Sequence, residues 1–145
     1  MNRAIGIDFG RARIGLAISD ELGMLAHPLE TVRMGREAVT RIATLVREKN
    51  VDCVVVGVPK TMSGQLGPAA EQANAFIEKL RAALPCKIIP WDERLTTVAA
   101  NRALQDAGKK TRETREYVDQ VAAQMILQGY LDQQAMLGSS EGLPE

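Results

Sequence analysis

Ile5-Gly-Ile-Asp8-Phe-Gly10-Arg-Ala-Arg13-Ile-Gly15-Leu-Ala-Ile-Ser19 is the stretch on which the fold turns. Residues 4–9 are an apolar run that reads as a buried strand, with Asp8 near its end. Residues 10–12 make a tight turn. From 13 to 19, Ile14, Leu16 and Ile18 alternate with Gly15, Ala17 and Ser19, the period-two signature of a strand with two different faces. So short a connection makes the two strands an antiparallel hairpin. A carboxylate closing a buried run is costly without a partner. Asp8 therefore either shapes the turn or serves chemistry at the strand end. Gly10 and Gly15 leave room for a phosphate-bearing ligand to approach the hairpin backbone.

Outward from the hairpin, 20–23 supply a turn and 24–32 a third strand, which Pro28 demotes to a sheet edge. Val39, Ile42, Ala43 and Val46 then recur at helical spacing, so 36–49 is an amphipathic helix. The branched run Val51–Val58 is a strand buried on both faces and parallel to its neighbour. A Pro, Gly and Ser loop over 59–67 leads to Pro68, which suits the first position of a second helix with Ala73, Phe76, Ile77, Leu80 and Leu84 as its core stripe. Residues 87–91 are a short last strand. Thr96 or Thr97 would cap a third helix running to about 106, with Gly108 beyond it. The polar, basic stretch 108–115 reads as a mobile connection, and 116–133 as the last helix. The order predicts an α/β domain over 1–137: a mixed five-stranded sheet, three antiparallel strands then two parallel, flanked by helices. Strand four would lie beside strand one, with strand five outside it. The tail, 138–145, has nothing to bury and reads as disordered.

Composition narrows the class. A chain of 145 residues is one domain by size and needs no disulfide to hold a core. Lys and Arg number 18 and Asp and Glu 18, so net charge announces no polyanion partner and any such partner must meet local basic patches. Aromatics at 3% argue against stacking platforms of the single-strand-binding kind. Cys53 and Cys86 have no metal-ligand spacing, and reduced thiols suit the cytoplasm. The chain opens almost directly on a strand and holds no apolar run of membrane-spanning length, so a soluble cytoplasmic protein is expected.

Three acids in different settings can meet at one point: Asp8 at the end of strand one, Glu93 after strand five, and Asp119 in the last helix. A hard divalent cation takes oxygen ligands, and carboxylates at strand ends and on a facing helix supply them. Each has a plainer reading. Asp92-Glu93-Arg94 can be a helix-entry cluster, and Asp119 a first-turn acid facing water. Against the latter, Ala122 and Ala123 let the helix approach the sheet closely, which turns the acid inward. The loop after Val58, with Lys60, Thr61 and Ser63, enters a helix N-terminus and makes a ready anion site, or is inert. The run Lys109, Lys110, Arg112, Arg115 can hold a nucleic-acid backbone, although charge runs are more often simply solvated. His27 receives no chemistry, and Trp91 reads as packing.

Four motifs in order carry a resemblance over most of the chain: 5–20 with its Asp8, Val56-Gly-Val-Pro59 with Gly64, Asp92-Glu-Arg-Leu-Thr-Thr97, and Asp119-x-x-Ala-Ala-x-x-Ile-Leu127. Together they closely resemble the YqgF (RuvX) family. The resemblance implies a ribonuclease H-like fold and a nuclease that matures the 5′ end of precursor 16S ribosomal RNA in ribosome biogenesis, or else resolves Holliday junctions. It places catalytic and metal-binding roles on Asp8, Glu93 and Asp119, with Mg²⁺ or Mn²⁺, two ions in all, as cofactor. Substrate would be held by Arg11, Arg13, Lys60, Thr61, Ser63, Arg94, Lys109, Lys110 and Arg112. Better-known resolvases place an acid at the end of strand four, where this chain has Gly57-Val-Pro59; the second ligand must then come from strand five. The choice of Glu93 over Asp92 rests on the family pattern. Partners would be structured RNA or branched DNA and pre-ribosomal particles, with no membrane, and the chain a monomer or a homodimer. A non-catalytic rRNA-binding assembly factor is the alternative outside enzymology. An actin-like ATPase shares the opening motif but needs a cleft between two domains, and 145 residues supply one.

Overall fold

A computed structural model describes residues 3–59, 67–95 and 112–141, with the last helix's side chains described over 117–137. The branched and alternating runs form β1 (Arg3–Phe9), β2 (Arg13–Ser19), β3 (Ala26–Arg33), β4 (Val51–Val58) and β5 (Lys87–Asp92), ordered β3-β2-β1-β4-β5. The hairpin pairs antiparallel with Asp8 opposite Gly15, while β4 runs parallel to both β1 and β5. Three antiparallel strands followed by two parallel ones is the architecture expected from the sequence.

Pleating sends alternate residues to opposite faces. One face carries Ile5, Ile7, Ile14, Leu16, Val54 and Val56, and packs against α1 (Glu37–Glu48) and α2 (Pro68–Ala83). Those helices contribute Ile42, Leu45 and Val46, and Phe76, Ile77 and Leu80. Pro68 is at the first position of α2, where its missing N–H costs nothing. The other face is made of small residues, Ala4, Ala17, Cys53 and Val55, and receives α3 (Arg112–Glu141) through Ala122, Ala123, Ile126 and Leu127. Small side chains on both partners bring this helix close. A Cβ on Gly6 would stand 2.6 Å from Leu127 Cβ and 2.8 Å from the Ala123 carbonyl.

The edges follow their own chemistry. Pro28 sits in β3 at a register shift, so its missing N–H falls on an edge strand at an irregularity. Gln124 and Gln128, one helical turn apart on α3, reach across to the same strand. Gln128 Oε1 accepts the Ala26 N–H at 2.8 Å, and Gln124 Nε2 donates to the Ala26 carbonyl at 2.9 Å. Gln128 Nε2 also donates to the Met24 carbonyl at 2.8 Å, and Gln120 Nε2 to Thr31 Oγ1 at 3.1 Å.

Some boundaries move. The third strand is Ala26–Arg33 where 24–32 was expected. The final helix, expected over 116–133, spans Arg112–Glu141. Arg112 and Arg115 therefore lie in helix rather than in a mobile connection, and helical backbone extends into the stretch expected to be a disordered tail. Residues 132–137 are exposed, so this extension has no apolar periodicity to announce it. The expected helix over 96–106 and most of the 59–67 loop lie outside the described residues.

Two outcomes check this packing. Gly6→Ala should cost about 1–3 kcal/mol of overpacking, read from urea unfolding. Tyr130 meets Trp91 edge to face with ring centroids 6.3 Å apart, and its hydroxyl lies 3.7 Å from Cys53 Sγ. Burial first, then the Cys53 bond, pushes the phenol up to about 12 from an ordinary value of 10.0. The folded state thus keeps this proton where the unfolded chain releases it, so the contribution is complete below pH 10 and lost as pH rises towards 12. Urea midpoints should fall across that window, and less steeply in Tyr130→Phe.

Candidate active site

One row of residues crosses three adjacent strands near the carboxyl end of β1. Gly15 of β2 lies opposite Asp8 of β1, and the register Ile7↔Val56 puts Asp8 level with Gly57 of β4. The row faces α3, because Asp8 follows Ala4 and Gly6 by the pleat. At one end, a Cβ on Gly15 would collide with the Asp119 carbonyl and stand 3.0 Å from Asp119 Cβ. At the other, a Cβ on Gly57 would stand 2.5 Å from Ile126 Cδ1 and 3.2 Å from Glu93 Cγ. Glycine at each end makes the space in which one acid lies. Asp119, Asp8 and Glu93 so follow one another at roughly one strand spacing, about 4.8 Å per step.

Their surroundings differ. Asp8 and Glu93 are both 6% exposed, and both have polar partners. Asp119 sits about two turns inside α3, so the first-turn reading does not hold. Its carboxylate accepts a 2.6 Å bond from Arg13 Nε, and the two side chains are only 21% and 33% exposed. Arg13, expected to hold substrate, is thus the counter-ion of Asp119. Among the described residues no three His, Cys, Asp or Glu side chains converge closely enough to hold a metal ion. The acids form a row, with its third member turned onto an arginine.

Asp92 and Glu93 separate cleanly. Ile89 and Trp91 pack on the α3 side of the sheet, and Glu93, two residues on, continues that side over Gly57 in a single 3-10 turn, Glu93–Leu95. Asp92 instead receives the Arg94 backbone N–H at 2.9 Å and is gripped by the Arg94 guanidinium, with Nη2 2.7 Å from Oδ2. That bond raises the Arg94 pKa above its ordinary value. Arg94 is occupied locally by its neighbour. Of the other expected substrate contacts, Arg11 is exposed in the hairpin turn, whereas Lys60, Thr61, Ser63, Lys109 and Lys110 lie outside the described residues. Arg112 opens α3. His27 pairs with Ile18, at the far end of the hairpin from Asp8. The Arg13–Asp119 pair spans 106 positions, and no local pattern could have announced it.

The order of the strands, with an acid row at the end of the first, is that of a ribonuclease H-like domain. Two solved structures share it: RuvC of Thermus thermophilus in complex with a Holliday junction substrate, at 13% identity, TM-score 0.54, and coverage of 93% of this chain and 96% of that one; and T. thermophilus RuvC by itself, at 15% identity, TM-score 0.52, and coverage of 94% and 96%. These likenesses are of fold. Residues 2–133 match the model of the RuvX family, described as Holliday junction resolvase, and the chain belongs to that family. Among its curated relatives are proteins of Halalkalibacterium halodurans and Bacillus cytotoxicus, each 44% identical and each named "Putative pre-16S rRNA nuclease". The first match covers 92% of this chain and 99% of the relative, the second 90% and 98%.

Arg13→Ala should leave the partly buried Asp119 without its guanidinium and lower stability by about 1–2 kcal/mol in urea titration. Arg13→Lys should restore only part of the loss, because the observed bond is made by Nε, an atom lysine lacks.

Proposed function

We propose that this protein is a metal-dependent nuclease that hydrolyses phosphodiester bonds of structured RNA and matures the 5′ end of precursor 16S rRNA. The observation that carries the reading is the pair of buried carboxylates, Asp8 and Glu93, side by side on one face of the sheet's rim. Two acids kept out of water at a strand end add nothing to packing and favour the approach of a cation. The names of the curated relatives support the choice of RNA. Such a substrate places the enzyme in the cytoplasm with pre-ribosomal particles as partners; among the described residues no helix is long and apolar enough to cross a membrane.

The donors available are all carboxylate oxygens, the chemistry that suits Mg²⁺ or Mn²⁺. Asp8 and Glu93 would hold the ions, and Asp119 would join them on release from Arg13. Bound there, such ions would supply an activated water and offset the charge on the leaving oxygen. In the middle of the row, Asp8 has a neighbouring acid on either side and would take part in holding any ion bound there. Arg13, which now holds Asp119, would be available to a phosphate oxygen of the bound strand. Hydrolysis breaks one P–O bond and leaves a phosphomonoester and a hydroxyl. No histidine is needed as base, and His27 is remote.

The family description favours a second reading, resolution of four-way DNA junctions. One experiment separates the two. Purified protein with Mg²⁺ or Mn²⁺ is given a precursor-rRNA end and a four-way DNA junction in parallel. Cleavage of the RNA with little action on the junction supports the first reading, and the reverse supports the second. Asp8→Asn should reduce cleavage at least a thousandfold, about 4 kcal/mol of barrier. Glu93→Gln should be nearly as damaging and Asp92→Asn much milder. Equal cleavage by Asp8→Asn and wild type would sink the proposal.

A further inference from the structure

On the face of the sheet away from α3, a recess of about 540 Å³ opens between the hairpin turn, the entry to α1 and the middle of α2. Its volume is within the range of specific ligand sites. Arg11, Arg36 and Lys79 stand around it, and Phe9, Met34 and Phe76 line its apolar part. The recess is fixed to the rim of the candidate active site. Phe9 follows Asp8 on β1, and the Met34 N–H donates to the Ala12 carbonyl at 2.9 Å, tying the hairpin turn to the wall. Phe9 and Phe76 lie ring to ring with centroids 5.0 Å apart, Phe76 buried and Phe9 partly open.

Charge is what sets this surface apart. The chain carries equal numbers of acidic and basic residues, 18 of each, yet among the described residues three bases and no acid line the recess. All three cations are exposed, and among the described residues none is in an ion pair. Elsewhere Arg41 is matched with Glu30, Arg81 with Glu78 and Arg94 with Asp92, while the exposed Arg33 and Arg47 are in no ion pair among the described residues and do not line the recess. Cations around an apolar floor that includes an aromatic face fit a chain of phosphates whose bases can turn inward. A duplex, with its bases paired inside and its backbones held apart on a wide cylinder, cannot turn a base onto the floor and would not enter the recess.

We propose that this recess binds the single-stranded segment flanking the bond to be cut, with Arg11, Arg36 and Lys79 on its phosphates and a base against Phe9. The proposal rests on the nuclease reading and adds to it a path for the strand: across the acid row, around the hairpin turn, and onto the opposite face of the sheet. The protein would then favour a substrate with an unpaired flank beside its paired region.

The test measures binding without metal, so that cleavage plays no part. A fluorescein-labelled single-stranded RNA and a duplex RNA are titrated in EDTA over a range of salt with wild type and with the double variant Arg36→Gln/Lys79→Gln. Both positions are exposed and neither belongs to the acid row; matched urea midpoints confirm an intact fold. For the single strand the variant should bind about tenfold more weakly at low salt, and the slope of log K against log salt should be shallower by about 1.4, some 0.7 for each phosphate released. The duplex should be much less affected. Unchanged single-strand affinity and slope, or an equal loss for the duplex, overturns the proposal. If that happens while wild type still cleaves RNA in an Asp8-dependent manner, the nuclease reading stands and the recess alone is discarded. If wild type binds neither RNA and cleaves none, both fall.

Discussion

Everything at the candidate site depends on how closely α3 can lie on the sheet. Helices usually pack on sheets through layers of branched side chains, which hold the backbones apart. Here Gly6, Gly15 and Gly57 remove that layer along the line of contact, and Ala122 and Ala123 remove it from the helix. Main-chain atoms of α3 then enter space a Cβ would fill. The result is a helix that delivers Asp119 onto the sheet surface and an open position on β4 over which Glu93 folds. Closeness also excludes water, so that two of the three acids are almost fully covered. A carboxylate in such surroundings interacts far more strongly with an arriving cation than one on the surface does.

The two faces of the sheet divide the work. Large branched residues on the α1 and α2 side form the broader core, and burial there supplies most of the stability. The α3 side gives up some of that burial in return for proximity and polar groups. Ser19 shows the same economy at the opposite end of the hairpin, where its hydroxyl accepts the Ala4 N–H at 2.9 Å beside a register shift between β1 and β4. The Asp119–Arg13 pair is a further case. A largely covered acid is paired with a guanidinium from β2, and the same guanidinium keeps it from its fellow acids.

Much of this was legible in the sequence because short-range patterns report burial. Alternation in 13–19, the branched run Val51–Val58 and the stripe Ala73, Phe76, Ile77, Leu80 each name an element and its inward face. The sheet order follows from them with few alternatives. The end of α3 was not legible for the complementary reason: a helix continuing into solvent buries nothing and leaves no periodic trace. The choice between Asp92 and Glu93 was open because parity along β5 has meaning only once Trp91 is known to lie on the α3 face. The resemblance to a family supplied the order of the acids, but not the pairing of Arg13 with Asp119, which depends on how two distant elements meet. Gly57 was noted for the acid it lacks; its effect is the room it leaves for Glu93.

The glutamines on α3 have a consequence beyond holding a helix to an edge. A five-stranded open sheet has two borders, and each bare N–H and C=O along them can recruit a strand from another chain. On one border Gln124 and Gln128 occupy both backbone groups of Ala26, and Pro28 removes a donor two residues on. On the other, Pro90 removes a donor from β5. A sheet whose central pairing joins β1 to β4 must wait during synthesis for strands far apart in the chain, and slow, long-range pairing is the stage at which β-proteins aggregate. Blunted borders make that wait less hazardous. The glutamine pair can do its part only after α3 has docked, so the last long helix to be made is also the one that seals the β3 border against unwanted growth.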